Sequence, residues 1–167
     1  MHISKRKINI FNLFLFIYLI LGLFLSVNTG VSTDAFIEEK IWKNNLEAAK
    51  DIFGYDNDGY SNLLQKHDKY YGVGYNFLSQ IYLFITSALF KFDGLSDEIS
   101  KVLLKHSFIF LTFFASALIA KKIVNLIIKD KFYSNVFLVF FLFYPYLLGH
   151  GFYNPKDIPF LFAWLLC

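Results

Sequence analysis

Cysteine and charged residues are both scarce in this sequence. The one cysteine, Cys167, is the last residue, so an internal disulfide bond is excluded and the redox compartment is not indicated. Charged residues make up 17% of the chain, below the roughly 25% of a soluble globular domain. Hydrophobic residues make up 56%, and phenylalanine alone contributes 22 residues. Because several charge-free apolar runs approach the length of a membrane span, we expect an all-α, multi-pass transmembrane bundle.

Three patterns that would indicate other classes are missing. No small-x-small cleavage pattern follows Val27, which argues against a cleaved secretory signal. The run Tyr71-Gly72-Val73-Gly74 has two glycines and no phosphate-loop lysine, so it does not predict a nucleotide-binding loop. The sequence contains no internal repeat of the kind that many transporters have. We also expect no nucleic-acid partner.

Apolar stretches predict four membrane spans, at about residues 9–27, 104–125, 132–149 and 158–167. Lys5-Arg6-Lys7 precedes the first span, and such a basic end favours a cytoplasmic N-terminus. Pro145 falls near the outer end of the third span, where it is tolerable as a kink. The fourth stretch is about half of the roughly 20 residues that a span needs, so we expect a fragment of a longer membrane protein.

Residues 30–100 predict an external loop with two helices at the membrane surface, at about residues 34–53 and 74–91. In the first of these helices, Asp34 is a plausible N-cap and Gly54 a plausible stop. Its apolar positions recur at helical spacing, at Trp42, Leu46, Ala49 and Phe53.

The distribution of lysines helps to decide whether the segment 70–90 crosses the membrane. If this segment does not cross the membrane, the lysines at positions 121, 122, 129 and 131 face the cytoplasm, as the positive-inside rule prefers. If it does cross, they face outward. We therefore predict that the segment 70–90 is re-entrant or interfacial, with a crossing as the alternative.

Residues 149–160 form a short polar break between two apolar runs. Ionisable residues beside hydrocarbon are costly and often functional, and this break contains Lys156 and Asp157 with His150 close by. Pro159 lacks an N–H and fits the first turn of a helix, which makes Asp157 its natural N-cap. By the predicted topology, the external loop at residues 30–100 and this break emerge on the same external face.

Three features together resemble the N-terminal part of the GT-C membrane glycosyltransferases. They are Asp34 directly after the first span, Tyr70-Tyr71-Gly72-Val73-Gly74-Tyr75 before an apolar stretch, and Asn154-Pro155-Lys156-Asp157-Ile158-Pro159-Phe160 at the start of the fourth span. The nearest relatives would be the bacterial enzymes related to protein O-mannosyltransferases and lipid A aminoarabinose transferase. The resemblance covers nearly all of this chain but only the first part of such an enzyme.

This resemblance implies transfer of a sugar from a polyprenyl-phosphate donor to a lipid, glycan or protein acceptor on the external face of the bacterial inner membrane. It implies that Asp34 is the catalytic base and that Asp157 is the accompanying acid. An acceptor hydroxyl needs a base to take its proton, and a lipid-phosphate leaving group needs a nearby cation, which Lys156 would supply. The chain alone is expected to be inactive.

The remaining candidate substrate-binding residues are His150, Asn154 and Glu38. Many relatives have Asp-Glu where this sequence has Asp34-Ala35, so the role of Glu38, one turn later, stays open. A divalent metal held by His150 and carboxylates is an alternative, but no ligand spacing predicts it and the sequence does not require it, so the cofactor stays unknown.

Each of these residues also has a structural interpretation. Asp34 and Asp157 would be helix caps, Lys156 would snorkel, His150 would be a structural residue at the interface, and Glu38 with Glu39 would form a solvated helix face. The alternative function is a non-enzymatic multi-pass protein, such as a transporter fragment with Asp34 and Asp157 as ion sites. Charges at the ends of spans rather than near their middle favour the transferase.

Overall fold

The structure, a computed structural model, describes residues 9–54, 59–65, 73–90, 92 and 94–167. The described residues form helices and contain no strand, which confirms the prediction of an all-helical chain for this part of it. The helices are α1 (Ile10–Asn28), α2 (Thr33–Ile52), α3 (Gly59–Leu64), α4 (Gly74–Leu89), α5 (Asp97–Ile128), α6 (Lys131–Phe143), α7 (Pro145–Tyr153) and α8 (Asp157–Leu166). The basic residues before the first span and the first half of the Tyr70–Tyr75 motif lie outside the described residues.

The chain divides into two compact units. The first unit consists of Met1–Thr29 and Ile109–Cys167, and the second consists of Gly30–Phe108. The long helix α5 contributes its first turns to the second unit and the remainder to the first unit.

In the first unit, α1 and the later part of α5 are antiparallel. Their contacts advance along α1 while they go back along α5: the Lys121 ammonium lies 4.9 Å from the ring centroid of Phe11, the rings of Tyr18 and Phe114 stack at 6.3 Å, and Gly22 lies against Phe110. The lysine-rich end of α5 therefore lies beside the start of α1.

The predicted third span is broken into two helices. Helices α6 and α7 meet at Tyr144 with a bend of 60°, and α7 continues to Tyr153, beyond the predicted end at residue 149. Pro145 begins α7 and has no N–H, so it cannot donate to the carbonyl four residues earlier. The kink predicted at Pro145 is thus a full helix break.

In the second unit, α2 buries one face, formed by Glu38, Ile41, Trp42 and Ala48. Gly54 ends the helix in a left-handed conformation, with φ of 80°, as Gly commonly does after a helix. Phe53, predicted on the apolar stripe, is instead 78% exposed, because the helix ends before it. Helix α4 packs on α5, since the rings of Tyr75 and Tyr82 stack on Phe108 at 5.2 and 4.9 Å.

Among the described residues, α1 and α5 are long and apolar enough to cross a membrane, and the bent pair α6–α7 would make a third span if it is counted as one. Helix α8 is apolar but has only 10 residues. Helix α5 begins at Asp97, before the predicted span start at residue 104, and its 32 residues correspond to about 48 Å. Because this exceeds the roughly 30 Å of a hydrocarbon core, α5 has room for both a span and a polar extension.

Candidate functional site

The polar break between α7 and α8 is organised by Asn154. Its side-chain oxygen Oδ1 accepts hydrogen bonds from the backbone N–H groups of Lys156 and Asp157, each at 2.9 Å. Such a bond from an Asn side chain to the backbone two residues later is an Asx-turn, which starts a helix or turn locally. The prediction that Asp157 is the N-cap is wrong, because Asp157 is the first residue of α8 and Asn154 binds the N–H groups there.

The same amide brings two other predicted site residues together. Asn154 Nδ2 donates to Asp157 Oδ2 at 2.9 Å and lies 2.6 Å from His150 Nδ1. His150 Nδ1 is itself 3.6 Å from Asp157 Oδ2. The His150 side chain is 22% exposed and that of Asp157 is 66% exposed. We call His150, Asn154 and Asp157 the break cluster.

The two backbone donors fix the orientation of the Asn154 amide. If the amide were flipped, its NH₂ group would face the N–H groups of Lys156 and Asp157, donor against donor. Nδ2 therefore points to His150, and Nδ1 of that imidazole is assigned as an acceptor. In its neutral form His150 then carries its proton on Nε2, which is the ring atom able to donate to a ligand.

Every hydrogen-bonding position of the Asn154 amide is used within the break cluster. Its two protons go to His150 and Asp157, and its oxygen accepts the two backbone N–H groups. The geometry makes Asn154 the residue that positions the other two, whereas the sequence interpretation made it a ligand contact.

The break cluster lies far from the lysine-rich end of the first unit. Phe152, between His150 and Asn154, stacks on Phe110 with ring centroids 5.6 Å apart. Phe110 precedes Ile128, the last residue of α5, by 18 residues, or about 27 Å of helix. The break and the lysines are therefore separated by nearly the thickness of a hydrocarbon core.

An apolar cavity adjoins Phe152 in the same unit. Its volume is about 240 Å³, and its lining comes from α1, α5, α6 and α7, including Tyr18, Leu21, Gly22, Phe110, Phe143 and Phe152. A lining of rings and aliphatic groups suits a hydrocarbon ligand rather than a polar one.

The other two predicted site residues, Asp34 and Glu38, belong to the second unit. Asp34 is exposed in the first turn of α2, and the N-cap is Ser32, whose hydroxyl accepts from the N–H of Ala35 at 3.3 Å. The interpretation of Asp34 as the N-cap is therefore wrong. Its carboxylate remains at a helix N-terminus, where negative charge is favoured.

Glu38 is buried rather than solvated. It is 9% exposed, and the ammonium of Lys105, itself only 7% exposed, is attracted by the carboxylates of Glu39 and Glu38. A buried charge is tolerated when an opposite charge lies close. The interpretation of Glu38 as part of a solvated helix face is wrong.

Sequence reasoning missed Lys105 and the charges around it. Glu98, Lys101 and Lys105 recur about one turn apart along α5, and Glu39 and Lys43 do so along α2. Charges at this spacing lie on one face of a helix. They indicate that α5 begins within the predicted external loop.

Within the part of the chain that the structure describes, no three His, Cys, Asp or Glu side chains come together as a metal-ligand set.

Comparisons with models of protein families, with curated proteins and with solved structures find no match for this chain.

Proposed function

We propose that this chain is the N-terminal part of a membrane glycosyltransferase of the GT-C class, with a polyprenyl-phosphate-linked sugar as donor and an acceptor on the external face of the bacterial inner membrane. The observation that carries the proposal is the break cluster, a set of three converging polar side chains beside an apolar cavity. A lipid-phosphate-sugar needs both kinds of surface in one place: an apolar one for its isoprenoid chain and a polar one for its head.

The break cluster supplies the groups that would meet the donor. The Nε2–H of His150 donates to a phosphate or sugar oxygen, and Asp157 accepts from a sugar hydroxyl or orients a cation. The Lys156 ammonium offsets the charge that develops on the leaving phosphate. Asn154 positions the side chains of His150 and Asp157 to contact the donor.

Asp34 is the proposed base for the acceptor hydroxyl. Its exposure and its place in the first turn of α2, with Ser32 in the capping role, leave the carboxylate available for a substrate. An ionised carboxylate within hydrogen-bond reach of the hydroxyl takes up its proton as the new glycosidic bond forms.

The proposed topology places the N-terminus in the cytoplasm and the break outside. It is supported by the antiparallel packing of α1 and α5, which brings Lys121 to the start of α1, and by the positive-inside rule. Helix α4 has 16 residues, or about 24 Å, which is shorter than the roughly 30 Å core and supports an interfacial position for it.

The test measures sugar transfer in membranes that contain the full-length protein. Asp34→Asn and Asp157→Asn should each insert normally and lose transfer from a panel of polyprenyl-phosphate hexoses and pentoses. For Asp34 the loss should be about 10²–10⁴-fold, the usual cost of losing a general base.

Two matched controls separate chemistry from helix capping. Ser32→Ala removes the observed cap of α2 and should cost about 1 kcal/mol of stability while transfer continues. Asp130→Asn keeps the oxygen that accepts from the N–H groups of Phe132 and Tyr133 at the start of α6, so it should be silent. Near wild-type transfer by Asp34→Asn would falsify the base assignment, and the same result for Asp157→Asn would make that residue structural.

A further inference from the structure

In the second unit, α2 and the first turns of α5 are antiparallel and joined by charges. The Lys43 ammonium lies 3.3 Å from Glu98 Oε1. One turn earlier on α2, Glu39 lines the same cavity as Lys105, which is two turns later on α5, and attracts it. This order of residues shows that the two helices run antiparallel.

Two further lysines, Lys40 and Lys101, line one cavity together with these residues. Among the described residues, neither has a carboxylate within ion-pair distance. Like charges that line one cavity repel one another, so the cavity favours an anion.

The cavity is larger than a bare anion needs. Its volume is about 340 Å³, within the range of small-molecule sites. Gln80 of α4 supplies an amide on one wall, and Phe36, Leu83 and Val102 supply apolar surface. Two carboxylates, Glu39 and Glu98, also line the cavity. Each is engaged by another cation, since Glu98 pairs with Lys43 and Glu39 attracts the buried Lys105. Lys40 and Lys101 are thus the cations left for a ligand.

We propose that this cavity binds a phosphate ester of a polyol, with the phosphate bridging Lys40 and Lys101 and a hydroxyl hydrogen-bonded to Gln80. A phosphate group has several oxygens that can accept from two ammonium groups at once. The same chemistry occurs in a soluble sugar or glycerol phosphate and in a phospholipid headgroup. The proposal does not depend on the transfer activity above, because binding is measured directly.

The experiment has two arms on the full chain. In the first, sn-glycerol 3-phosphate is titrated by calorimetry into the protein in an uncharged detergent. In the second, the protein is released from phosphatidylcholine nanodiscs containing phosphatidylglycerol, and native mass spectrometry counts the retained lipid. We expect binding in at least one arm. Binding of glycerol 3-phosphate alone identifies a soluble ligand, and retention of phosphatidylglycerol alone identifies a lipid.

The decisive variant is Lys40→Gln/Lys101→Gln, which removes both charges and keeps most of the side-chain volume. Binding should fall by about tenfold or more, the usual consequence of losing a charge-assisted hydrogen bond. The control Lys50→Gln/Lys122→Gln makes the same change in net charge at exposed lysines of α2 and α5 that do not line the cavity, and it should bind as wild type.

A charge reversal distinguishes a lost site from a lost fold. Lys40→Glu adds a carboxylate to the cavity that Lys101 also lines, so it should abolish binding while raising the unfolding temperature. No binding by the wild-type chain in either arm, undiminished binding by Lys40→Gln/Lys101→Gln, or an equal loss in the control would each overturn the proposal.

Discussion

Gly22 shows how a single residue sets the packing of the first unit. It is buried in the middle of α1, and a Cβ atom added there would overlap the ring of Phe110. Phe110 is fully buried and also stacks on Phe152, which lies between His150 and Asn154 of the break cluster. The absence of a side chain at residue 22 therefore lets α1 approach α5 and, through Phe110, supports α7.

Gly22→Ala should destabilise the chain by about 1–3 kcal/mol, the usual cost of overpacking a tight contact. Gly149→Ala is the matched control, because Gly149 is also helical and a Cβ atom there would meet nothing within 4 Å. It should be neutral or slightly stabilising, since alanine is the better helix former. SDS-induced unfolding in mixed micelles measures both variants, and equal stabilities would show that Phe110 moves aside without cost.

The helix starts show what could be predicted from sequence at the scale of single residues. Polar residues at the starts of α2 and α8 were recognised from sequence, but Ser32 and Asn154 cap or organise those starts instead of Asp34 and Asp157. Several neighbouring side chains of similar chemistry can each bind the same N–H groups. Which one does so depends on backbone angles that the sequence does not specify.

At the scale of elements, the break between α6 and α7 leaves carbonyl groups without their usual helical donors. The carbonyl oxygen of Leu142 accepts from the Tyr18 hydroxyl of α1 at 2.6 Å, and that of Phe141 accepts from the N–H of Tyr144 at 3.4 Å. A break at membrane depth is tolerated when neighbouring side chains satisfy the backbone in this way. Tyr18 thus stabilises the bend that leads α7 to the break cluster.

Tyr18→Phe should therefore destabilise the chain by about 0.5–1.5 kcal/mol, the range of single hydrogen bonds in proteins, including membrane proteins. Tyr133→Phe is the control, because Tyr133 is exposed on α6. The same mixed-micelle titration compares them. If the two variants unfold at the same SDS fraction, the Tyr18 hydroxyl does not stabilise the break between α6 and α7.

Most elements could be predicted from sequence. The helices at Thr33–Ile52 and Gly74–Leu89 lie within a few residues of their predicted ranges, because hydropathy and Gly54 mark their ends. The start of α5 also has local signals, since Ser96 accepts from the N–H of Ile99 at 3.4 Å and acids occupy the first turn. Pro145 marks the break in the third span, but the size of the bend could not be predicted, because the Tyr18 hydroxyl that satisfies the Leu142 carbonyl is distant in sequence.

At the scale of the whole molecule, the proposed orientation of the first unit rests on one packing relation. Because α1 and α5 are antiparallel, the side that holds the start of α1 also holds the lysines near the end of α5. Helix α6 starts at Lys131 on that side, and Phe141 stacks on Phe113, so the chain returns toward the other end. By the positive-inside rule, we propose that the lysine side faces the cytoplasm and the break faces the exterior.

Cysteine labelling in intact cells tests this orientation, on a Cys167→Ser background. Lys50→Cys and Tyr153→Cys should react with a membrane-impermeant maleimide added outside, whereas Lys129→Cys should react only after permeabilisation. All three positions are exposed in the structure, so protection by neighbouring side chains does not confuse the result. Reaction of Lys129→Cys from outside, with Tyr153→Cys protected, would mean that the segment containing α4 crosses the membrane. The break cluster would then face the cytoplasm, and a lipid-linked donor on the external face could not reach it.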